Sequence, residues 1–305
     1  MDKLRFRKTK LGHRFIHCVA IFSLIMVTVP TDSIAAQLEN YRKASVASEN
    51  AITIDNEKEQ IKEIRKAMLY RKPSLELYYP GSINDLEMDL EKLLNKVFAI
   101  NEKSTTTDGD YLANIYSGYK VESYYNSLGA SLTYHFTYHE TKKQTDMVNK
   151  KIKSILKDMN ISKKSTYQKV KLIHDYIVNH TSYDTTYTKY NAYNALIDKS
   201  SVCQGYSLLA YKMLTEAGVP ARIITGFGDG EAHAWNIVKI GDVWYNLDCT
   251  WDDPITSNGK PILQYDYFLK NEKDFKNHVR DTKFTTKSFN SKYPMAKNSY
   301  SMKKK

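Results

Sequence analysis

With 305 residues, 42% hydrophobic and 26% charged, the chain has the composition of a soluble globular protein, long enough for one large domain or two modest ones. Its 45 Lys+Arg against 34 Asp+Glu give a net charge of +11, yet no basic run is interleaved with aromatics in a binding motif, so nucleic acid is excluded as the expected partner. Three cysteines make no disulfide framework.

The chain opens on Lys3, Arg5, Arg7, Lys8, Lys10 and Arg14, followed by an apolar run from Phe15 to Val29 that is too short to cross a bilayer comfortably. Pro30 follows it, and Ser33-Ile34-Ala35-Ala36 puts small residues at the minus-three and minus-one positions of a cleavage point after Ala35. Residues 1–35 therefore read as a secretory signal peptide, the only segment expected to meet a membrane, and the mature protein as secreted or held in the cell envelope. Cys18 lacks the small neighbours that a lipid-anchor site needs. Cleavage removes six basic and two acidic residues and leaves a net charge of +7, a field that suits anionic cell-wall polymers.

Gln37 to about Asn50 is polar and reads as a flexible lead-in. Ile61, Ile64, Met68 and Leu69 then recur at helical spacing within Asn56 to Tyr70, which stops before Pro73. Ser74 to Tyr79 alternates like a strand. Ser82 and Asp85 resemble the start of a helix carrying Leu86, Leu90, Leu93, Leu94, Val97 and Phe98. A polar loop from Asn101 to Asp110 leads to two strand-like runs, Tyr119 to Tyr125 and Ala130 to Tyr138, with Leu128-Gly129 as the turn. Residues 36–140 thus form an N-terminal α/β region.

Two amphipathic helices follow, Thr145 to Met159 and Thr166 to Asn179, the second opening on a Ser165/Gln168 capping box. Thr181 to Ala192 reads as an aromatic-rich loop and Asn194 to Ile197 as a helical turn. A helix from Cys203 ends at Gly218. Three strand signals come next: Ala221 to Gly226, His233 to Ile240 and Val243 to Leu247, the last two joined by a tight turn at Gly241-Asp242. Ile262 to Leu269 reads as a strand or short helix. Residues 141–290 are assigned to the catalytic domain and 291–305 to a flexible basic tail.

Cys203, His233 and Asp248 carry the chemistry. A free thiol, with a pKa of about 8.5, is mostly protonated at neutral pH, whereas a helix N-terminus and an adjacent imidazole favour the thiolate. His233 lies about eight residues before the Gly241-Asp242 turn and Asp248 about six after it, at one end of the hairpin, so Asp248 can orient the imidazole if a stagger adjusts the register. The Cys203 amide is the expected first oxyanion donor, with Tyr183, Gln204 and Trp235 as candidates for the second. Each residue also has a structural reading: a small core cysteine, a satisfied strand histidine, and an aspartate capping the turn at Thr250 to Pro254. Trp235, Trp244 and Trp251 read as core and site-wall aromatics. Cys249 points away from Asp248 and takes a structural role. His174 and His180 have no second ligand at metal spacing, so no metal and no cofactor are assigned.

Ser201-Val202-Cys203-Gln204-Gly205-Tyr206-Ser207, then Gly230-Glu231-Ala232-His233-Ala234-Trp235-Asn236, then Trp244-Tyr245-Asn246-Leu247-Asp248 with Thr250-Trp251-Asp252-Asp253, resemble the bacterial branch of the transglutaminase-like superfamily. Tyr183-Asp184 is similar to a segment of the same branch, and the resemblance runs from about Tyr167 to Pro254. It implies an α+β fold of papain and transglutaminase type, with the nucleophile at a helix N-terminus packed on an antiparallel sheet. It also implies Cys203 as nucleophile, His233 as general base and acid, and Asp248 as its orienting residue. Gln204-Gly205-Tyr206 stands where animal transglutaminases place a Trp after the nucleophile, so crosslinking is not carried over. The expected function is an exported thiol enzyme acting on protein or peptide amides, with hydrolysis favoured over transfer to an amine. The competing reading is a non-catalytic module that binds or scaffolds the cell envelope.

Overall fold

A computed structural model describes residues 34–99, 109–255 and 262–301. The N-terminal half contains α1 (Ile34–Ser45), β1 (Ile52–Thr53), α2 (Glu57–Leu69), β2 (Ser74–Tyr79), α3 (Leu90–Ala99), α4 (Gly109–Ile115), β3 (Tyr116–Asn126) and β4 (Gly129–Tyr138). Then come α5 (Lys142–Asp158), α6 (Thr166–His180), β5 (Ser182–Tyr183), α7 (Ala192–Leu196), β6 (Ser200–Ser201), α8 (Cys203–Glu216), β7 (Ala221–Gly228), β8 (Glu231–Ile240), β9 (Val243–Leu247), β10 (His278–Arg280) and α9 (Lys287–Lys292). The first sheet has the order β1-β2-β4-β3, the second β10-β7-β8-β9, and β5 pairs with β6. The architecture is α+β, as the sequence implies.

Local chemistry explains most boundaries. The Asn56 side chain accepts from the Glu59 amide and starts α2. Capping boxes start α5 at Thr141/Gln144 and α6 at Ser165/Gln168. In the first sheet Leu75 and Leu77 of β2 face the core with Leu132, Tyr134 and Phe136 of β4, an alternation that sets the register.

Several expectations change. The polar segment from Gln37 is not a lead-in but most of α1, whose Ala44 is buried. Its last turn is tied to the sheet: Tyr78 donates to the Ser45 carbonyl at 3.1 Å, and Asn126 to the Ser45 hydroxyl at 2.8 Å. Ser82 caps only a single 3₁₀ turn, and the helix proper waits for Leu90. The hairpin pairs Asn126 with Gly129, which shifts the turn to Ser127-Leu128, with the Asn126 side chain accepting from the Leu128 and Gly129 amides. Ile262 to Leu269 forms neither strand nor helix. Residues 291–301 are no loose tail: Tyr293 and Ala296 are buried, and the Trp244 backbone bonds Pro294 at 2.9 Å and Ala296 at 2.8 Å. This segment covers the outer edge of β9, whose unpaired backbone groups would otherwise face solvent. Residues 1–33 and 302–305, which hold most of the expected signal peptide and the end of the tail, lie outside the described residues.

One apolar core crosses the expected boundary at Glu140, joining Ile64, Leu93 and Leu132 to Val170, Leu209 and Val238. A second cluster, Ile224, Trp235, Ile237, Trp244, Phe275, Phe284 and Tyr293, lines the second sheet. Each fully buried apolar side chain stabilises by roughly 1.5–3 kcal/mol. Polar contacts also join the halves. Asp110 of α4 grips the Arg222 guanidinium of β7, with one contact at 2.6 Å, and accepts from the Ile223 amide at 3.1 Å. Lys212 of α8 lies 3.9 Å over the Tyr111 ring, and Tyr111 in turn donates to Glu140 at 2.6 Å.

Candidate active site

The turn before α8 is held by backbone and side chain alike. The parallel β5–β6 pair brings Tyr183 beside Ser201, and both the Ser201 hydroxyl, at 2.8 Å, and the Val202 amide, at 2.9 Å, donate to the Lys189 carbonyl. A Cβ at position 205 would lie 1.9 Å from the Ser201 oxygen and 2.8 Å from the Asn191 carbonyl, so only glycine fits under this turn. Val202 provides no side-chain cap, which leaves the positive end of α8 beside Cys203, its first residue.

His233 arrives from the sheet. Asn236 of β8 stands opposite Leu247 of β9, so Asp248, just beyond the strand, would lie opposite Trp235 and is a diagonal neighbour of His233 on the same face. His233 Nε2 is 2.8 Å from Asp248 Oδ2, which leaves Nδ1 for Cys203. The Asp248 carboxylate is 1% exposed and has four donors: His233 and, at 3.1 Å, His278 on Oδ2; the amides of Thr250, at 2.9 Å, and Trp251, at 3.2 Å, on Oδ1.

The electrostatics follow from that geometry. Burial alone would press the His233 pKa down; the charges of Asp248 and Cys203 and their hydrogen bonds outweigh it and push it up to about 10. Burial would raise Asp248, but His233 and His278 hold it well below the usual carboxylate range. His233 and Asp248 therefore form an ion pair at neutral pH. Burial, reinforced by the Asp248 charge, pushes the Cys249 thiol well up, so it remains a buried, unreactive thiol.

The Asp248 turn is pinned from behind. His174 of α6, fully buried, meets Asp252 Oδ2 at 2.9 Å and Asp175 at 3.1 Å, and the Tyr267 amide donates to Asp252 Oδ1 at 2.9 Å. Tyr206, one turn along α8 from Cys203, donates to Asp253 at 2.6 Å. Burial lifts Asp253 to about 6, with Tyr206 opposing. His174, Asp252 and Asp253 thus have structural duties. His180 contacts the Tyr176 carbonyl at 2.9 Å and stacks on the Tyr176 ring, with centroids 3.9 Å apart.

Of the three candidates for a second oxyanion donor, Gln204 spends its amide on the Asn114 carbonyl of α4, and Trp235 Nε1 donates to Asn246 at 3.3 Å. Tyr183 stands beside the nucleophile turn through the β5–β6 pairing. Trp251 and Trp235 flank His233 with ring centroids at 5.5 and 6.0 Å, in line with the core and site-wall roles expected of the tryptophans. His278 was missed in the sequence, because a lone histidine thirty residues after Asp248 carries no motif. Among the described residues, His233, Asp248 and His278 are a set whose ligand-type atoms all lie within 4.8 Å of one another, a spacing a divalent ion could use. Direct hydrogen bonds inside the set already satisfy them.

Residues 153–249 match the family model of the transglutaminase-like superfamily, a span that contains Cys203, His233 and Asp248. This segment is similar to a transglutaminase-like core. His278 and β10 lie beyond the match. No curated protein matches the chain significantly. A crystal structure of a TGase aligns with 17% identity and a TM-score of 0.35, covering 69% of this chain and 61% of its own. A provisionally assigned cysteine protease from Cytophaga hutchinsonii aligns with 19% identity and a TM-score of 0.31, covering 46% of this chain and 59% of its own. The chain thus spans less than two thirds of either structure's length, and at such scores neither alignment bears on chemistry.

Proposed function

We propose that the protein is a thiol enzyme in which Cys203 attacks the carbonyl carbon of a protein or peptide amide. The contact of His233 with both Cys203 and Asp248 is the observation that supports this most. The Cys203 sulfur forms a bond to the carbonyl carbon, and the oxyanion is met by the Cys203 amide at the start of α8. His233 Nδ1 delivers its proton to the leaving nitrogen as the C–N bond breaks, giving a thioester and a free amine. A water molecule then attacks the thioester while His233 takes its proton. The acid leaves and the thiolate–imidazolium pair returns.

Transfer to an amine uses the same thioester, and hydrolysis is favoured because Gln204-Gly205-Tyr206 replaces the Trp that follows the nucleophile in crosslinking relatives. Incubation with a glutamine-containing peptide and a labelled amine, followed by mass spectrometry, separates the two. The glutamate product or a cleaved peptide is expected. The amine adduct as main product would reassign the enzyme as a transferase, and no product from a broad peptide library would favour a binding module.

The enzyme would work outside the cytoplasm, after removal of residues 1–35. Among the described residues no helix is long and apolar enough to cross a membrane. The exported chain, read by mass spectrometry, is expected to begin at Ala36; retention of Met1 to Ala35 in the exported form would refute the cleavage.

A further inference from the structure

One buried imidazole touches the triad without belonging to it. His278 is the first residue of β10, paired with Gly228 of β7. Small residues permit that approach: a Cβ at Gly226 would lie 2.0 Å from the Val279 carbonyl, and one at Gly228 would lie 2.8 Å from the Trp251 ring and 3.2 Å from that of His233. The His278 ring sits among Phe275, Trp251, Trp235 and Tyr267, at centroid distances of 3.9, 4.3, 5.1 and 5.4 Å, with its side chain 1% exposed.

Its polar contacts are more telling than its packing. Nδ1 lies 2.9 Å from the Lys276 carbonyl and Nε2 3.1 Å from Asp248 Oδ2. A carboxylate only accepts, so Nε2 donates to Asp248 Oδ2, while Nδ1 lies against the Lys276 carbonyl and the ring is held at both ends. Oδ2 therefore has a donor besides His233. With the Thr250 and Trp251 amides on Oδ1, the carboxylate cannot rotate without breaking several hydrogen bonds at once. Asp248, His233 and the Tyr267 phenol are the titratable side chains that face His278 from the surrounding elements.

We propose that His278 is a positioning residue, which holds the Asp248 carboxylate aimed at His233 Nε2 through the catalytic cycle. The proposal rests on the triad reading above. It assigns a fourth side chain to the site, from outside the segment that matches the family.

The test measures the rate at which iodoacetamide alkylates Cys203 as pH varies, in the full chain and without any substrate. His278→Phe fills the aromatic box but has no donor, whereas His278→Gln can still donate to Asp248. The Phe variant is expected to label at neutral pH at least roughly tenfold more slowly, as loss of a hydrogen bond to a buried charge implies, with its rate profile moved to higher pH. The Gln variant should recover most of the rate. A Phe variant with the wild-type rate and profile would show that His278 only fills space and would overturn the proposal. If neither variant melts cooperatively, ring-nitrogen NMR of the wild type decides. A proton on His278 Nε2 supports the proposal, and a bare Nε2 overturns it. A wild-type Cys203 no more reactive than a small-molecule thiol would instead sink the triad reading, and this proposal with it.

Discussion

Cys203→Ala should abolish alkylation by iodoacetamide at neutral pH and lower turnover on any amide substrate by a factor on the order of 10⁴–10⁶. The fold should survive, because position 203 is half-buried in the first turn of α8 and alanine is a better helix former. Nucleophile and base act as one unit, so adding His233→Ala to Cys203→Ala should cost little more than either change alone. The remaining thiol among the described residues, Cys249, is buried and held protonated, so it should not label in the folded protein. Mass mapping of the labelled peptide checks this: an alkyl group on Cys249 in the folded wild type, or equal labelling of the Cys203→Ala protein, would remove Cys203 from its role.

Asp248→Asn should have the second largest effect, on rate and stability together. An amide cannot act as acceptor for four donors as the carboxylate does, and it leaves His233 without its counter-charge, so turnover should fall by about 10⁴. Breaking a buried pair from one side should also cost about 3–5 kcal/mol in a urea titration.

The pH dependence distinguishes this from a plain packing defect. His233 is raised in the folded protein, so its stabilisation is fully present below the unfolded histidine pKa and is lost as pH rises through about 10. Asp248 is lowered, so its share is present above the unfolded aspartate pKa and is lost as pH falls through the depressed value. Both describe one ion pair, counted once. The wild type should exceed Asp248→Asn most between the two unfolded values, about pH 4 to 6.5, and the gap should narrow on either side. A gap that stays constant across pH would rule out the ion pair as its source.

Much of this protein was legible before any coordinates, where the signal was local. The Ser165/Gln168 capping box and the apolar repeats of α5 and α6 depend on residues three or four apart; α6 starts where the spacing put it, and α5 starts three residues earlier than expected, on a Thr141/Gln144 capping box. The Gly241-Asp242 turn set the β8–β9 register and so brought His233 and Asp248 to one end of a hairpin. Misreadings fell where tertiary contacts outweighed local preference. The polar residues after Gln37 look unstructured alone, yet α1 is secured by Tyr78 and Asn126 from the first sheet. Residues 291–305 look like a tail, yet Pro294 and Ala296 pair with Trp244 on the edge of β9.

Cys203, His233 and Asp248 could be proposed from spacing and from the family resemblance, and each has neighbours that shape its own turn: Gly205 under Cys203, Trp235 beside His233, Thr250 and Trp251 on the Asp248 carboxylate. What surrounds them came from folding alone. Asn114 takes up the Gln204 amide from across the N-terminal half, His174 and Tyr206 pin Asp252 and Asp253, and His278 reaches Asp248 from a strand thirty residues later. None of these partners is close in sequence. A buried charge must find its donors wherever the packed chain brings them, and no local pattern records that meeting.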